Sequence, residues 1–211
     1  TTYTGVWTCT QGEQTWTDRW TIDPASSLST TVFTTADARV PATAVCTIIE
    51  DTPSPASLID QSFAWVDRTY DPAAVALLAG QTADLGVTNT VGRVYSGFDV
   101  RKAITGPVAD DGLTPTDRVF TGTWSCRYRD DEPVTGPWVA SVATPWVQAG
   151  ILVGSVCSVT SEVPPGAGGQ PVSGDPSYGW LTPGPGDAAV VTPPTEPNQR
   201  ITVTNPTDRV F

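Results

Sequence analysis

A chain of 211 residues holds one large all-β domain or two small ones. Its 11 basic and 22 acidic residues leave a net charge of −11, which speaks against nucleic acid and anionic lipid as main partners. The sequence has no His and no Met, so the side chain behind much acid–base and zinc chemistry is missing.

No apolar run approaches the roughly 18 residues of a membrane-spanning helix, and no signal segment is visible at Thr1. The expectation is a mature, soluble chain. Abundant Thr and Val, broken by 20 Pro and 19 Gly, favour short strands over helices.

In chain order, the first strand is Tyr3-Thr-Gly-Val-Trp7-Thr-Cys9, followed by a second in which Trp16 and Trp20 share one face. Ala44-Val-Cys46-Thr-Ile-Ile-Glu50-Asp-Thr-Pro53 reads as another strand, and Leu85, Val87 and Asn89 share a face further on. The pattern then recurs. Phe120-Thr-Gly-Thr-Trp124-Ser-Cys126 matches the first strand, Ser155-Val-Cys157 to Pro164 matches the segment around Cys46, and Thr202-Val-Thr-Asn205 matches Gly86-Val-Thr-Asn89. Arg93-Val-Tyr95 and Arg209-Val-Phe211 follow each Asn at the same distance. Matched order with small slips in spacing predicts two copies of one domain, at residues 1–92 and 93–211, joined by a short link at Thr90 to Gly92.

The second copy carries an extra strand, Phe98-Asp-Val-Arg-Lys102-Ala-Ile-Thr-Gly106. Period-two alternation puts Phe98, Val100, Lys102 and Ile104 on one face, apolar apart from the lysine. Ile201, Val203 and Asn205 are phased alike. The first copy has no counterpart of this strand within the chain. Two readings stand: a piece of a longer array, or a domain whose open edge takes a donor strand from another chain.

Each copy holds two Cys. Equivalent positions predict one disulfide per copy, Cys9–Cys46 and Cys126–Cys157, and the spacing fits no zinc pattern. Disulfides place the chain in an oxidising setting, extracellular or at a cell surface. Eight Trp raise a sugar-binding platform, but Trp7/Trp124, Trp20/Trp138 and Trp65/Trp180 recur as scaffold. That leaves Trp16 and Trp146 as the candidates for binding a carbohydrate or other ligand. The acidic turns Asp110-Asp111 and Asp130-Asp131-Glu132 have no defensible calcium spacing, and the Pro/Gly stretches Pro164 to Pro176 and Pro183 to Pro197 read as long loops. No metal and no cofactor is expected. Without a recognisable cleft motif, an enzyme ranks behind a structural or a binding role.

Three short motifs in order carry a resemblance: Val100-x-Lys102-x-x-x-Gly106, then Cys-[Thr/Ser]-[Ile/Val] running to Glu50 or Glu162, then Val-Thr-Asn at Asn89 and Asn205. The chain resembles the CnaB-type, prealbumin-like domains of Gram-positive surface proteins, and more narrowly the DUF5979-type repeats of actinobacterial surface proteins. The resemblance implies tandem Ig-like β-sandwiches in a cell-wall or surface stalk, a pilus or adhesin module, with neighbouring repeats or subunits as partners. It also implies an autocatalytic isopeptide bond, with Lys102 as nucleophile, Asn205 as electrophile and Glu162 as the assisting acid. Glu162 sits five residues after Cys157 and Glu50 four after Cys46, so either Glu50 or Asp51 is its counterpart. The alternative for Lys102 is that it snorkels from the strand end while Asn205 caps a turn.

Overall fold

The computed structural model describes residues 2–32, 40–162, 172, 175–183, 186–197 and 199–210, with 160–162 at the level of the backbone. The chain divides into two units, Thr1–Gly92 and Arg93–Phe211. Most of the stretch 164–176 lies outside the described residues. Among the described residues no helix is long and apolar enough to cross a membrane.

The first unit contains β1 (Tyr3–Gln11), β2 (Gln14–Ile22), β3 (Val45–Glu50), β4 (Phe63–Asp71), β5 (Val75–Ala76) and β6 (Gly86–Arg93). One sheet runs β2-β1-β3-β5 and the other is the pair β4-β6. Gly12, at φ 58°, opens the two-residue turn that folds β2 back on β1 with Gln11 opposite Gln14. Gly5 lies opposite Trp20, and a Cβ there would fall 2.6 Å from the indole. The Thr-Gly-x-Trp pattern therefore records a tryptophan laid across bare backbone. Thr90 to Gly92, read above as the link, lie inside β6, and Val94 alone separates β6 from the next strand. The strand is continuous there, although Thr90 and Val91 are both exposed and the inward–outward alternation slips by one place.

The second unit contains β7 (Tyr95–Thr105), the one-turn helix α1 (Pro107–Asp110), β8 (Phe120–Arg127), β9 (Val134–Ala140), β10 (Trp146–Leu152), β11 (Val156–Glu162), β12 (Tyr178–Trp180), β13 (Ala189–Val190) and β14 (Gln199–Arg209). Its sheets run β10-β7-β14-β12 and β13-β11-β8-β9. Facing residues Phe98, Val100, Trp124, Trp138, Ile201 and Val203 form one buried cluster between them. This is an all-β sandwich. Its first strand β7 lies beside its last strand β14 and parallel to it, so the two ends of the unit's fold meet inside one sheet.

In each unit the disulfide joins directly opposed residues of neighbouring strands. Cys9 faces Cys46 across β1 and β3, and Cys126 faces Cys157 across β8 and β11. The bridges therefore lie within one sheet, unlike the inter-sheet bridge of antibody domains.

A surface tie closes the far end of the second unit. Asp111 accepts from the Tyr178 hydroxyl at 2.6 Å and from Arg209 at 2.8 Å. The tyrosine hydrogen bond first, and then the guanidinium, hold its carboxyl below the usual range, while Asp111 pushes the Tyr178 phenol up. A depressed carboxyl stabilises the fold above its unfolded pKa of about 3.9 and loses that contribution as pH falls through the folded value. Acid titration is expected to loosen this corner, measured by amide exchange of Val108 and Tyr178. Asp111→Asn should already be loosened at neutral pH and show a flatter acid response.

Candidate functional site

Strand phase decides the site. On β7 the alternating residues Phe98, Val100, Lys102 and Ile104 are all buried, with Lys102 only 5% exposed. On β14 Ile201, Val203 and Asn205 are buried as well. Parallel pairing sets Lys102 opposite Val203 and Asn205 opposite Ile104. The Lys102 Nζ donates to the Val203 carbonyl at 3.1 Å and to Oδ1 of Asn205. It also stands 4.7 Å from the centre of the Phe120 ring, which packs edge-on against Trp180. Lys102 thus points inward rather than snorkelling, and Asn205 lies inside a strand rather than at a turn.

The third residue is placed by register. In the second unit Glu162 lies opposite Gly122, after a register shift between Val159 and Ser161. In the first, Glu50 lies opposite Gly5 with no shift. Gly5 and Gly122 occupy the same place in Thr-Gly-x-Trp, so Glu50 is the counterpart of Glu162, and the β-bulge accounts for the extra residue. The Glu162 side chain lies outside the described atoms. Asp51 is instead a surface residue, accepting from Thr4 at 2.7 Å and paired with Arg19.

The first unit keeps this arrangement with one exchange. Glu50 is 3% exposed and accepts from the Asn89 side-chain amide at 3.0 Å. Tyr3 and Trp65 repeat the edge-on contact of Phe120 and Trp180. Where the second unit holds a lysine amine, the first holds the guanidinium of Arg68. Its Nε lies 2.9 Å from Glu50 Oε2 and donates to Asn89 Oδ1 at 3.2 Å. An Nη of Arg68 donates to the Glu50 carbonyl at 2.5 Å. Sequence reasoning missed Arg68. The available signal was its phase with Tyr70 on β4, in the copy that has no lysine.

The two candidate binding tryptophans are packed side chains. Trp16 is partly buried against the first unit's cluster, opposite Cys9. Trp146 lies opposite Val100 and packs against Phe98 and Trp124. Among the described residues no group of three or more His, Cys, Asp or Glu side chains could hold a metal ion.

A family model described as "Domain of unknown function (DUF5979)" matches residues 1–92 and again 98–208. The chain belongs to the DUF5979 family. The two matches show that a DUF5979 unit is the repeated element itself. The solved structures that this DUF5979 chain is similar to include a bacterial adhesin from Mobiluncus mulieris containing intramolecular disulfide, isopeptide and ester bond cross-links. It is 10% identical, with a TM-score of 0.32, and 100% of this chain and 85% of that one are covered. They also include the major pilin protein (T3.2) from Streptococcus pyogenes serotype GAS13637, 13% identical, with a TM-score of 0.32, covering 99% of this chain and 90% of that one. No match is found among curated proteins.

Proposed function

We propose that this chain is a load-bearing stalk module of an extracellular, cell-surface protein, and that Lys102 and Asn205 of its second unit join in an intramolecular isopeptide bond. The observation that carries the reading is the buried amine of Lys102 set on the Asn205 carboxamide, between the first and last strands of one sheet.

The chemistry needs little else. A neutral amine is the nucleophile, and burial favours the neutral form of any lysine. Nζ attacks Cγ of Asn205, the bond from Cγ to Nδ2 breaks, and the amide nitrogen leaves as ammonia. Glu162 is the group we assign to carry the proton from Nζ to the departing nitrogen. No oxidant, metal or cofactor enters that balance.

The mechanical argument follows from topology. A pull along the chain enters the second unit at β7 and leaves at β14, and a bond between them carries the load directly. The 103 positions separating Lys102 from Asn205 then lie outside the load path, withholding about 350 Å of extended chain. Disulfides within each unit and a secreted or wall-anchored setting agree with this, with neighbouring repeats or subunits as partners. We also read the edge of β6 away from β4, which no strand covers among the described residues, as open to a donor strand from outside these residues.

Single-molecule pulling tests the role. The second unit is expected to yield almost no length at forces that unfold ordinary sandwiches, and Lys102→Arg should release the full loop. A wild-type unit that extends by that loop would contradict a load-bearing role.

A further inference from the structure

Each unit ends one sheet in an equivalent edge strand, and only one of the two is blocked. Among the described residues, β2 ends the sheet β2-β1-β3-β5 and β9 ends the sheet β13-β11-β8-β9. Trp20 lies opposite Gly5 and Trp138 opposite Gly122, so β2 and β9 are counterparts. The second unit leaves the β9 edge free although its leading strand β7 is present, in the other sheet. The opening at β2 is therefore a property of the fold and is separate from the edge of β6. Hydrogen-bond phase shows which groups face it. The Asp51 N–H donates to the Thr4 carbonyl at 2.8 Å, so even-numbered residues of β1 bond β3 and odd-numbered ones bond β2. Through the β1–β2 register, Gln14, Trp16, Asp18 and Trp20 are the residues of β2 bonded to β1. The N–H and C=O groups of Thr15, Thr17, Arg19 and Thr21 point to the free edge. The Arg19 N–H accordingly donates to the adjacent Asp18 carboxylate at 2.8 Å. In β9 the residue before the tryptophan is Pro137, where β2 has Arg19. A proline on an edge strand offers no N–H and stops further pairing. β2 has no Pro and no Gly, and its two charges, Asp18 and Arg19, cancel.

We infer that β2 is a self-association edge: two copies of this chain pair β2 with β2, antiparallel about a twofold axis, and join two four-stranded sheets into one. Side-chain chemistry selects the register. Bonded pairs must match odd-numbered with odd-numbered residues, so the axis passes through a residue position. Centred on Asp18 it opposes two aspartates, and centred on Arg19 two arginines, both unfavourable. Centred on Thr17 it pairs Gln14 through Trp20 with no like charges opposed. Thr15 then faces Arg19 of the second copy, and Trp16 faces its Asp18. Moving the axis on to Trp16 only shortens the paired segment. The Thr17 register also extends a row already built on the outer face. Thr47 lies opposite Thr8, and Thr8 opposite Thr17, with the Thr8 and Thr17 hydroxyl oxygens 3.4 Å apart. Thr17 against its own copy continues that row, and cross-strand threonine pairs are favourable. Gln14, Thr15, Thr17, Asp18 and Arg19 are all exposed, and pairing asks only that the Asp18 carboxylate leave the Arg19 N–H. In a surface stalk, as proposed above, this edge ties neighbouring stalks side by side without calling on the Lys102 crosslink.

Sedimentation equilibrium of the intact 211-residue protein tests this. The parent is expected to show a monomer–dimer equilibrium. Thr17→Asp and Thr17→Lys each set like charges face to face across the axis, and each alone is expected to weaken the dimer about fivefold, the scale of one opposed pair. Mixed in equal amounts, the two variants should associate as tightly as the parent or more so. That recovery is specific to a twofold contact at Thr17, and both substitutions sit on an exposed, outward-facing position. Arg19→Pro, which copies Pro137 of the second unit, is expected to abolish the dimer while circular dichroism remains that of a folded β protein. A parent that stays monomeric up to about 1 mM, the weak end of specific association, overturns the inference. So does a dimer indifferent to Arg19→Pro, or a mixture of the two Thr17 variants no tighter than either alone. Each of those failures leaves the crosslink reading standing, because the mass of the second unit is measured separately.

Discussion

The double variant Lys102→Met/Asn205→Leu is expected to destabilise the second unit by about 5 kcal/mol and to lower its melting temperature by about 20 °C in calorimetry. The magnitude comes from loop closure: a crosslink spanning roughly 100 residues removes that much conformational freedom from the unfolded chain. The sign is the informative part. Lys102 and Asn205 are buried among Phe98, Val100, Ile104, Ile201 and Val203. If they only hydrogen-bonded, replacing both with apolar side chains of similar size would be neutral or stabilising. A crosslink reverses that. A double variant as stable as the parent would mean the pair is merely a buried polar contact.

Removing the disulfides is expected to divide the two units by outcome. The bridges close loops of 37 and 31 residues, which the same reasoning values at about 4 kcal/mol each. The units differ in what remains. Among the described residues the second unit buries a cluster of sixteen residues, with the proposed Lys102–Asn205 bond in addition. The first buries five, two of them the cysteines themselves, and its second sheet has two strands. Sandwiches this thin lean on covalent staples. Cys9→Ala/Cys46→Ala is expected to open the first unit to limited proteolysis at 37 °C, while Cys126→Ala/Cys157→Ala leaves the second resistant with a lowered melting temperature. Equal protease sensitivity in the two variants would contradict the asymmetry.

What was legible beforehand is what depends on phase within a single strand. Alternation in Phe98–Ile104 placed Lys102 on an apolar face, alternation in Ile201–Asn205 did the same for Asn205, and the repeated Cys beside Trp foretold bridges in two sandwiches. What was not legible depends on neighbours. The β-bulge after Val159 shifts Glu162 by one place, and a linear reading cannot tell a bulge from a different residue, so Glu50 and Asp51 stayed open. Trp146 had no repeat partner, yet it is packed because β10 lies beside β7. Arg68 belongs to the site through a cross-strand reach from β4 to Glu50 and Asn89, and only the sheet order brings those strands together. The supposed link failed for a simpler reason, since β6 continues through Gly92 without interruption.

The central claim is that the Lys102 amine has become an amide. Intact mass before and after reduction tests it most directly. The native protein is expected to weigh the sequence mass less four hydrogens and one ammonia. Reduction should restore the hydrogens and leave a deficit of about 17 Da, which disappears in Lys102→Met. A reduced mass equal to that of the sequence would contradict the account.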